Sequence, residues 1–383
     1  MSNLRDMLSS YVSDGSVPGA VALVARGDDI EVAAVGSIDV QGSVPMARDT
    51  IFRSASISKP ITAAATMMLV DDGRIALDDP VSKWLPELQS PVVVRTPDGP
   101  VEDVVPAARP ITVFDLLTFR AGYGFPADFS LSVVALLASD VQADGREPQR
   151  RRAPGEWMAS LARIPLVYQP GQAWLYNTGS DLQGVLIARA SGRTLPDFLA
   201  ERIFEPLGMA DSGFVVPAEK TDRFLPFYRI ESDGGLGVAD PMVGGQWSEL
   251  PAFASGAGGM VGTIDDWFAF AQLLLAEGEF DGRRLLSAES VRKMTTNYLT
   301  APQRAAATLF LEGQGWGFGG SVDVDVLDPW NVPGRYGWVG GTGTAAYLTP
   351  ATGAVNILLT QVAMPGPTPT PIMRDFWRYA ATA

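Results

Sequence analysis

A serine and a lysine three residues apart, Ser56 and Lys59, stand at the start of a run of small and apolar residues. This run, residues 57–70, predicts a buried helix that ends before Gly73. Because three residues return a helix to nearly the same face, we expect the hydroxyl and the amine to meet. Burial lowers the pKa of a lysine, and a neutral amine can take the serine proton to give a nucleophile. The alternative is that Ser56 only caps a core helix.

The same spacing occurs once more, at Ser290 and Lys293. These residues lie in a stretch of mixed charged and polar residues, 285–298, which predicts a surface helix. A hydrated lysine on such a helix stays protonated and cannot act as a base. Ser56 and Lys59 are therefore the candidate catalytic pair.

The chain of 383 residues contains no histidine and no cysteine. This composition excludes histidine-based catalytic triads, imidazole-bound metals, thiol nucleophiles and disulfides. A formal net charge of −14 argues against binding to phosphate backbones or anionic lipids. The sequence also shows no secretory signal and no apolar run long enough to span a membrane. We expect a cytoplasmic protein that acts on a small molecule without a metal or cofactor and without a nucleic-acid or membrane partner; its oligomeric state is not predicted.

Two later segments carry further groups that can take part in chemistry. Tyr176 follows Pro170-Gly171 and precedes a predicted helix over residues 180–190. Residues 337–344 form a glycine-dense strand start, Gly-Trp-Val-Gly-Gly-Thr-Gly-Thr, which indicates a close approach of the backbone to another group. Taken separately, these segments also fit a half-buried tyrosine and a bulged strand.

The hydrophobic pattern predicts elements that bring these segments together. Runs rich in β-forming residues occur near both chain ends, at residues 19–26, 30–38, 338–348 and 354–361. Amphipathic runs at 4–12 and 371–380 predict terminal helices, and proline-punctuated helices fill residues 75–210. We therefore predict an α+β fold, an antiparallel β-sheet flanked by terminal helices with an inserted helical domain. The expected division is 1–55 with 215–383 for the sheet domain and 56–214 for the mostly helical domain, with the active site at their interface.

Aromatic residues in loops of the inserted region are candidates for the walls of a substrate pocket. The alternative for each of them is an ordinary core position. The residues in question are Tyr123, Phe125, Trp157, Trp247 and Phe253.

Taken together, the S-x-x-K at the head of a central helix, the tyrosine after Pro-Gly and the W-x-G strand resemble the class C β-lactamase-like, penicillin-recognising serine hydrolases. The motifs occur in that family's order, and the resemblance extends over nearly the whole chain. It implies a β-lactamase/transpeptidase-like fold with Ser56 as the acylated nucleophile and Lys59 as its proton acceptor. It further implies that Tyr176 shares the base role and protonates the leaving group. The backbone amides of Ser56 and Gly341 would form the oxyanion hole.

The family resemblance also raises an expectation about the tyrosine. An ammonium within about 4 to 6 Å lowers a tyrosine pKa, so a lysine–tyrosine pair could pass one proton between its members. One alternative register places Leu175, which has no phenol, opposite the family's tyrosine.

Two departures from the β-lactamase pattern bear on the substrate. The tyrosine motif has Thr178 where those enzymes carry asparagine, with Asn177 beside it, and the strand motif begins with Trp338 where they carry lysine. Both changes remove polar contacts to a β-lactam and look like the family's esterases and acyltransferases. We expect a carboxylesterase for small esters, with Trp338, Gly340 and Asn177 among its substrate-binding residues. Hydrolysis of β-lactams or D-amino-acid peptides, acyl transfer, and a non-enzymatic binding module are the alternatives.

Overall fold

A computed structural model describes residues 3–141 and 146–382. The helices of this part of the chain are α1 Leu4–Ser13, α2 Lys59–Asp71, α3 Val113–Leu117, α4 Ser132–Asp140, α5 Pro154–Leu161, α6 Thr178–Ser191, α7 Leu195–Leu199, α8 Glu205–Leu207, α9 Ile264–Leu275, α10 Ala288–Met294, α11 Ala301–Ala306, α12 Thr308–Leu311 and α13 Pro371–Thr382. The strands are β1 Gly19–Arg26, β2 Asp29–Gly36, β3 Phe52–Arg53, β4 Val92–Val94, β5 Val104–Pro106, β6 Phe227–Ile230, β7 Leu236–Asp240, β8 Val261–Gly262, β9 Glu279–Phe280, β10 Arg283–Arg284, β11 Gly315–Trp316, β12 Ser321–Val322, β13 Tyr336–Gly340, β14 Thr344–Thr349 and β15 Ala354–Thr360.

The main sheet has seven strands in the order β11-β12-β13-β14-β15-β1-β2. Every neighbouring pair is antiparallel, and the N-terminal β1 pairs with the C-terminal β15, so that Ala20 lies opposite Thr360. The predicted fold class, an antiparallel sheet built from both chain ends and flanked by terminal helices, is confirmed.

The two faces of the sheet pack against different helices. Along β1, Val21 and Leu23 belong to the core that contains α2 and α9, whereas Ala20 and Ala22 face the core that contains α1 and α13. This alternation follows from the two-residue period of a strand. The sheet is therefore covered on one side by the terminal helices and on the other by α2, α9 and the helices that pack on them.

Helix α2 is the central buried helix. Eleven of its residues are buried, and it packs against α6. It begins at Lys59 rather than at Ile57, because residues 55–58 form a 3-10 turn and Pro60, which has no backbone N–H, fits the first turn of a helix. The serine and the lysine thus lie on either side of this change in helix type. Within the described ranges, no helix combines the length and the apolar character needed to cross a membrane.

Candidate active site

Ser56 and Lys59 meet where the 3-10 turn enters α2. The Lys59 Nζ lies 2.7 Å from the Ser56 Oγ and donates a hydrogen bond to it. Ala55, the residue before the serine, has a φ of 46°, which is a left-handed conformation that few residues other than glycine adopt. The three-residue spacing therefore places the two groups together as the sequence predicts.

The Lys59 amine is enclosed by protein. Its side chain is 0% exposed, and its Nζ also donates to the Ala257 carbonyl oxygen at 2.6 Å. Burial lowers the pKa of Lys59 to about 7; the Asp181 carboxylate opposes this shift, and the Arg151 guanidinium adds to it. A large fraction of this lysine is therefore neutral near pH 7 and able to accept a proton.

Tyr176 reaches the serine from the other side. Its hydroxyl donates to the Ser56 Oγ at 2.8 Å and accepts a hydrogen bond from the Trp338 indole Nε1 at 2.7 Å. Backbone hydrogen bonds in both directions between Tyr176 and Phe125 fix this segment just before α6 begins. Leu175 is buried, so the phenol that contacts the serine belongs to Tyr176.

The expectation of a lowered tyrosine pKa is wrong. Burial raises the pKa of Tyr176 to about 12, although its hydrogen bonds with Ser56 and Trp338 oppose the shift. The Lys59 Nζ lies over the face of the phenol ring, 4.7 Å from its centroid. The phenol therefore stays protonated at neutral pH and is suited to donate a proton.

The turn between β13 and β14 is joined to the segment that precedes Ser56. The Thr342 hydroxyl donates to the Arg53 carbonyl at 2.6 Å, and the Thr344 hydroxyl donates to the Ser54 carbonyl at 2.8 Å. Only glycine fits at position 340, because a Cβ there would lie 2.6 Å from the Ser54 oxygen. These contacts hold Gly341 beside the serine. That its amide and that of Ser56 bind an oxyanion remains a prediction.

A cavity of about 520 Å³ opens over Ser56. Phe125, Met364 and Pro365 supply apolar parts of its wall, and Tyr176 and Asn177 supply polar parts. Asn177 has a φ of 83°, and asparagine tolerates positive φ better than most residues. The cavity is large enough for a small organic substrate.

Of the residues predicted to bind substrate, Phe125 and Asn177 line this cavity, whereas Trp338 and Gly340 lie behind it. Trp338 contacts the tyrosine instead, and Gly340 packs on the segment before the nucleophile.

The other four aromatic candidates do not line the cavity and are packed in the core. The Tyr123 hydroxyl donates to the Ile164 carbonyl, the Trp157 indole donates to the Val141 carbonyl, and the Trp247 indole donates to the Gly259 carbonyl. Phe253 packs on Trp157 with ring centroids 5.0 Å apart. Each polar ring atom has a backbone partner, which allows full burial of these rings.

Sequence reasoning missed a buried polar network behind the lysine. Asp181 of α6 accepts hydrogen bonds from Arg151 Nη1 at 3.0 Å, the Ser255 hydroxyl at 2.6 Å and the Ala257 amide at 3.3 Å. The Ala257 carbonyl is the acceptor for Lys59, so this network fixes the loop that holds the amine. No clear signal for this network is present in the sequence, because Asp181 lies in the first turn of α6 among other polar residues, and an acidic residue there is ordinary.

Known proteins resemble this chain along nearly its whole length. The family model described as Beta-lactamase matches residues 4–373. Protein Rv1367c of Mycobacterium tuberculosis is 36% identical over 359 residues, which cover 91% of this chain and 86% of that protein. Esterase EstB of Burkholderia gladioli is 31% identical over 369 residues, which cover 91% and 87% of the two chains.

The fold is also shared with solved structures. EstCE1, described as a hydrolase with promiscuous acyltransferase activity, superposes with a TM-score of 0.82 at 23% identity and covers 98% of this chain and 96% of its own. This likeness agrees with the β-lactamase/transpeptidase-like fold that the motifs imply. The chain belongs to the beta-lactamase family, as a class C β-lactamase-like serine hydrolase.

Proposed function

We propose that this serine hydrolase is a carboxylesterase that cleaves small carboxylic esters through an acyl-enzyme on Ser56. The observation that carries the proposal is the chain of hydrogen bonds from Lys59 through Ser56 to Tyr176 and Trp338. It combines a nucleophile, a base with a pKa near neutrality and a protonated phenol on the other side of the serine. The similarity to Esterase EstB supports the same reaction class.

In the acylation step, neutral Lys59 accepts the Ser56 proton while the Oγ bonds to the ester carbonyl carbon. The carbonyl oxygen becomes an oxyanion, for which the amides of Ser56 and Gly341 are the proposed donors. As the intermediate collapses, the bond from the carbonyl carbon to the alcohol oxygen breaks. Tyr176 gives its proton to the leaving alkoxide and takes one back from the Lys59 ammonium, so the enzyme ends as an ester on Ser56.

In the deacylation step, water attacks the acyl carbonyl and passes a proton to the lysine–tyrosine pair. The bond between the acyl carbon and the Ser56 Oγ then breaks, and the serine regains the proton. The acid is released and the starting protonation state returns.

Two positions favour esters over β-lactams. Trp338 stands where β-lactamases carry the lysine that helps to bind the antibiotic carboxylate, and its indole is 2% exposed with its N–H committed to Tyr176. Thr178 is buried in the first turn of α6 and does not line the cavity. Neither residue offers a polar contact to a β-lactam.

The test is hydrolysis of 4-nitrophenyl butyrate by the wild type and by Ser56→Ala. Ser290→Ala is the matched control, because Ser290 of α10 belongs to the second S-x-x-K, does not line the cavity and donates its hydroxyl to Asp71 at the end of α2. We expect activity per folded molecule to fall by at least about a thousandfold in Ser56→Ala and to persist in Ser290→Ala. Equal rates in wild type and Ser56→Ala contradict the proposal.

Assays of the same enzyme with nitrocefin, and with an added alcohol, decide between the alternatives. Turnover of nitrocefin at a rate comparable to that of the ester favours a β-lactamase or peptidase. Formation of a new ester when a second alcohol is added favours acyl transfer, since both reactions pass through the same acyl-enzyme.

A further inference from the structure

Four aromatic side chains connect the catalytic phenol with the protein surface. The Tyr176 ring packs on Phe310, with centroids 5.0 Å apart. Phe129 packs on both Phe310 and Phe125, at 5.9 and 5.8 Å between centroids. Backbone hydrogen bonds in both directions between Phe125 and Tyr176 complete the set. These four residues, Tyr176, Phe310, Phe129 and Phe125, are called the aromatic arc below.

Phe129 is the exposed end of the aromatic arc. It is 50% exposed, and every other aromatic residue in the described ranges is more deeply buried. The Asp128 carboxylate accepts hydrogen bonds from the Ser130 amide at 2.9 Å and from its hydroxyl at 2.6 Å, which orders the backbone around the ring. Because Phe125 lines the cavity over Ser56, the exposed ring that packs on it adjoins the cavity wall. A ring left in water at this place is stabilised when an apolar group of a bound molecule covers it.

The position of Tyr176 tells which part of an ester reaches the aromatic arc. In the proposed acylation step this phenol gives its proton to the leaving alkoxide, so the alcohol part of the ester lies against it. The acyl carbon bonds to the Ser56 Oγ in the same step, so the acyl part extends from the serine. A substituent on the alcohol therefore meets Phe125, the cavity-lining neighbour of Tyr176, and beyond it Phe129.

We propose that the aromatic arc is a subsite for the alcohol part of the substrate, so that the preferred esters are those of alcohols that carry an aromatic ring. The inference rests on the proposed esterase function and names its substrate class. Phe125 and Phe129 are the residues that determine this specificity, whereas Tyr176 keeps its role as the proton donor.

The experiment places one phenyl group on either side of the ester bond. 2-Phenylethyl butyrate and ethyl 4-phenylbutyrate are isomers with this group on the alcohol and on the acyl part, and ethyl butyrate lacks it. All three release a primary alkyl alcohol, so their leaving groups are chemically alike. We expect kcat/KM for 2-phenylethyl butyrate to exceed that of each of the other two by at least about tenfold, because only its ring is buried against the aromatic arc.

The variants test whether the arc causes this preference. Phe129→Ala should reduce the preference for 2-phenylethyl butyrate over its isomer by about fivefold, which is the size of one aromatic pair. Phe125→Leu keeps the backbone bonds to Tyr176 but removes the ring, and it should reduce the preference as well. Ile230→Ala is the control, because Ile230 of β6 is 52% exposed and does not line the cavity, so the preference should not change.

A binding measurement keeps this inference separate from the proposed reaction. Ser56→Ala is titrated calorimetrically with the two isomers, with and without Phe129→Ala. Tighter binding of 2-phenylethyl butyrate that depends on Phe129 supports the subsite even if the wild type cleaves no ester. Equal turnover and equal binding of the two isomers overturn it, and so does a preference for 2-phenylethyl butyrate that both phenylalanine variants retain in full. In either of these cases, cleavage of the esters that requires Ser56 leaves the proposed esterase function standing.

Discussion

Trp338 acts through a hydrogen bond rather than as a wall of the pocket. Its indole N–H donates to the Tyr176 hydroxyl and helps to hold the phenol on Ser56. The neighbouring Trp316 packs edge-on against it, with ring centroids 4.8 Å apart, but the Trp316 Nε1 has no acceptor among the residues that the structure describes. The two tryptophans therefore share a packing environment and differ in one polar contact.

This difference gives a matched test. Trp338→Phe removes the hydrogen bond and should lower kcat/KM for esters by about fivefold, because one such bond contributes roughly 1 kcal/mol. Trp316→Phe loses indole packing only and should stay within about threefold of the wild type at equal folded concentration. If both variants lose the same activity, the indole N–H has no particular role.

Single residues were predictable from sequence where spacing fixes geometry. Three residues of helical rotation return Lys59 to the face of the turn that carries Ser56. The loop aromatics were not predictable in this way, because composition does not tell whether a ring such as Trp157 packs inward or lines a cavity. Asp181 was not predictable either, because α6 contains other polar residues and an acidic residue in the first turn of a helix is common without burial.

At the scale of elements, Asp181 joins α6 to the loop that holds Lys59. Asp181→Asn leaves the buried Arg151 without its counter-charge and should lower the free energy of unfolding by about 3 to 5 kcal/mol. It should also move the acidic limb of the pH–rate profile. Asp181 raises the pKa of Lys59, so its removal lets the amine lose its proton at lower pH, and the activity should rise at lower pH.

Asp323→Asn is the control for that variant. Asp323 forms a buried ion pair with Arg335 at 3.5 Å, and neither residue lines the active-site cavity. Chemical denaturation and pH–rate profiles are measured for both variants. We expect Asp323→Asn to lose stability without a shift of the acidic limb of its pH–rate profile. We expect Asp181→Asn to show both effects. A shift of the limb in both variants contradicts a specific effect of Asp181 on the lysine.

The contact between β13 and the segment before Ser56 gives a second prediction at this scale. Gly340→Ala places a methyl group against the Thr344 hydroxyl and the Ser54 carbonyl, so the strand must move away from the nucleophile. We expect the rate of Ser56 acylation to fall by at least about tenfold, since one oxyanion donor contributes about 2.7 to 4 kcal/mol. Gly155→Ala, in α5 with no atom near the new Cβ, should leave the rate unchanged. Normal acylation in Gly340→Ala would show that this contact is dispensable.

At the scale of the whole molecule, the sheet unites the chain ends and carries the active site. Trp377 of α13 packs on Tyr347 of β14 and on Trp330, with centroids 5.5 and 5.8 Å apart. Trp377→Ala should lower the free energy of unfolding by about 3 to 5 kcal/mol. Because β14 is also hydrogen-bonded to the segment before Ser56, the active site should unfold together with the sheet. As denaturant is added, covalent labelling of Ser56 by a fluorophosphonate should therefore be lost at the same concentration as the circular dichroism signal.

Arg378→Ala is the control on the same helix, since Arg378 is exposed and pairs with Asp375. It should change stability by less than about 1 kcal/mol. Two separate transitions in the Trp377→Ala variant would show that the sheet and the active site unfold independently.

The architecture was largely readable from sequence because runs of β-forming residues mark β1 and β15, and amphipathic periods mark α1 and α13. The cavity was not, because its wall includes residues 364–366, a loop without periodicity that is positioned by the hydrogen bond from the Met364 amide to the Gly341 carbonyl. Such contacts depend on how the ends of the chain meet in the folded sheet.

The most direct measurement is the pH dependence of Ser56 acylation by a fluorophosphonate, followed by intact-protein mass spectrometry from about pH 5 to about pH 10. The lysine pKa of about 7 predicts that the rate rises about tenfold per pH unit below this value and then levels off. The Tyr176 pKa of about 12 keeps the phenol protonated throughout. A rate that continues to rise up to the alkaline end of the range, as for an ordinary lysine, would contradict the account.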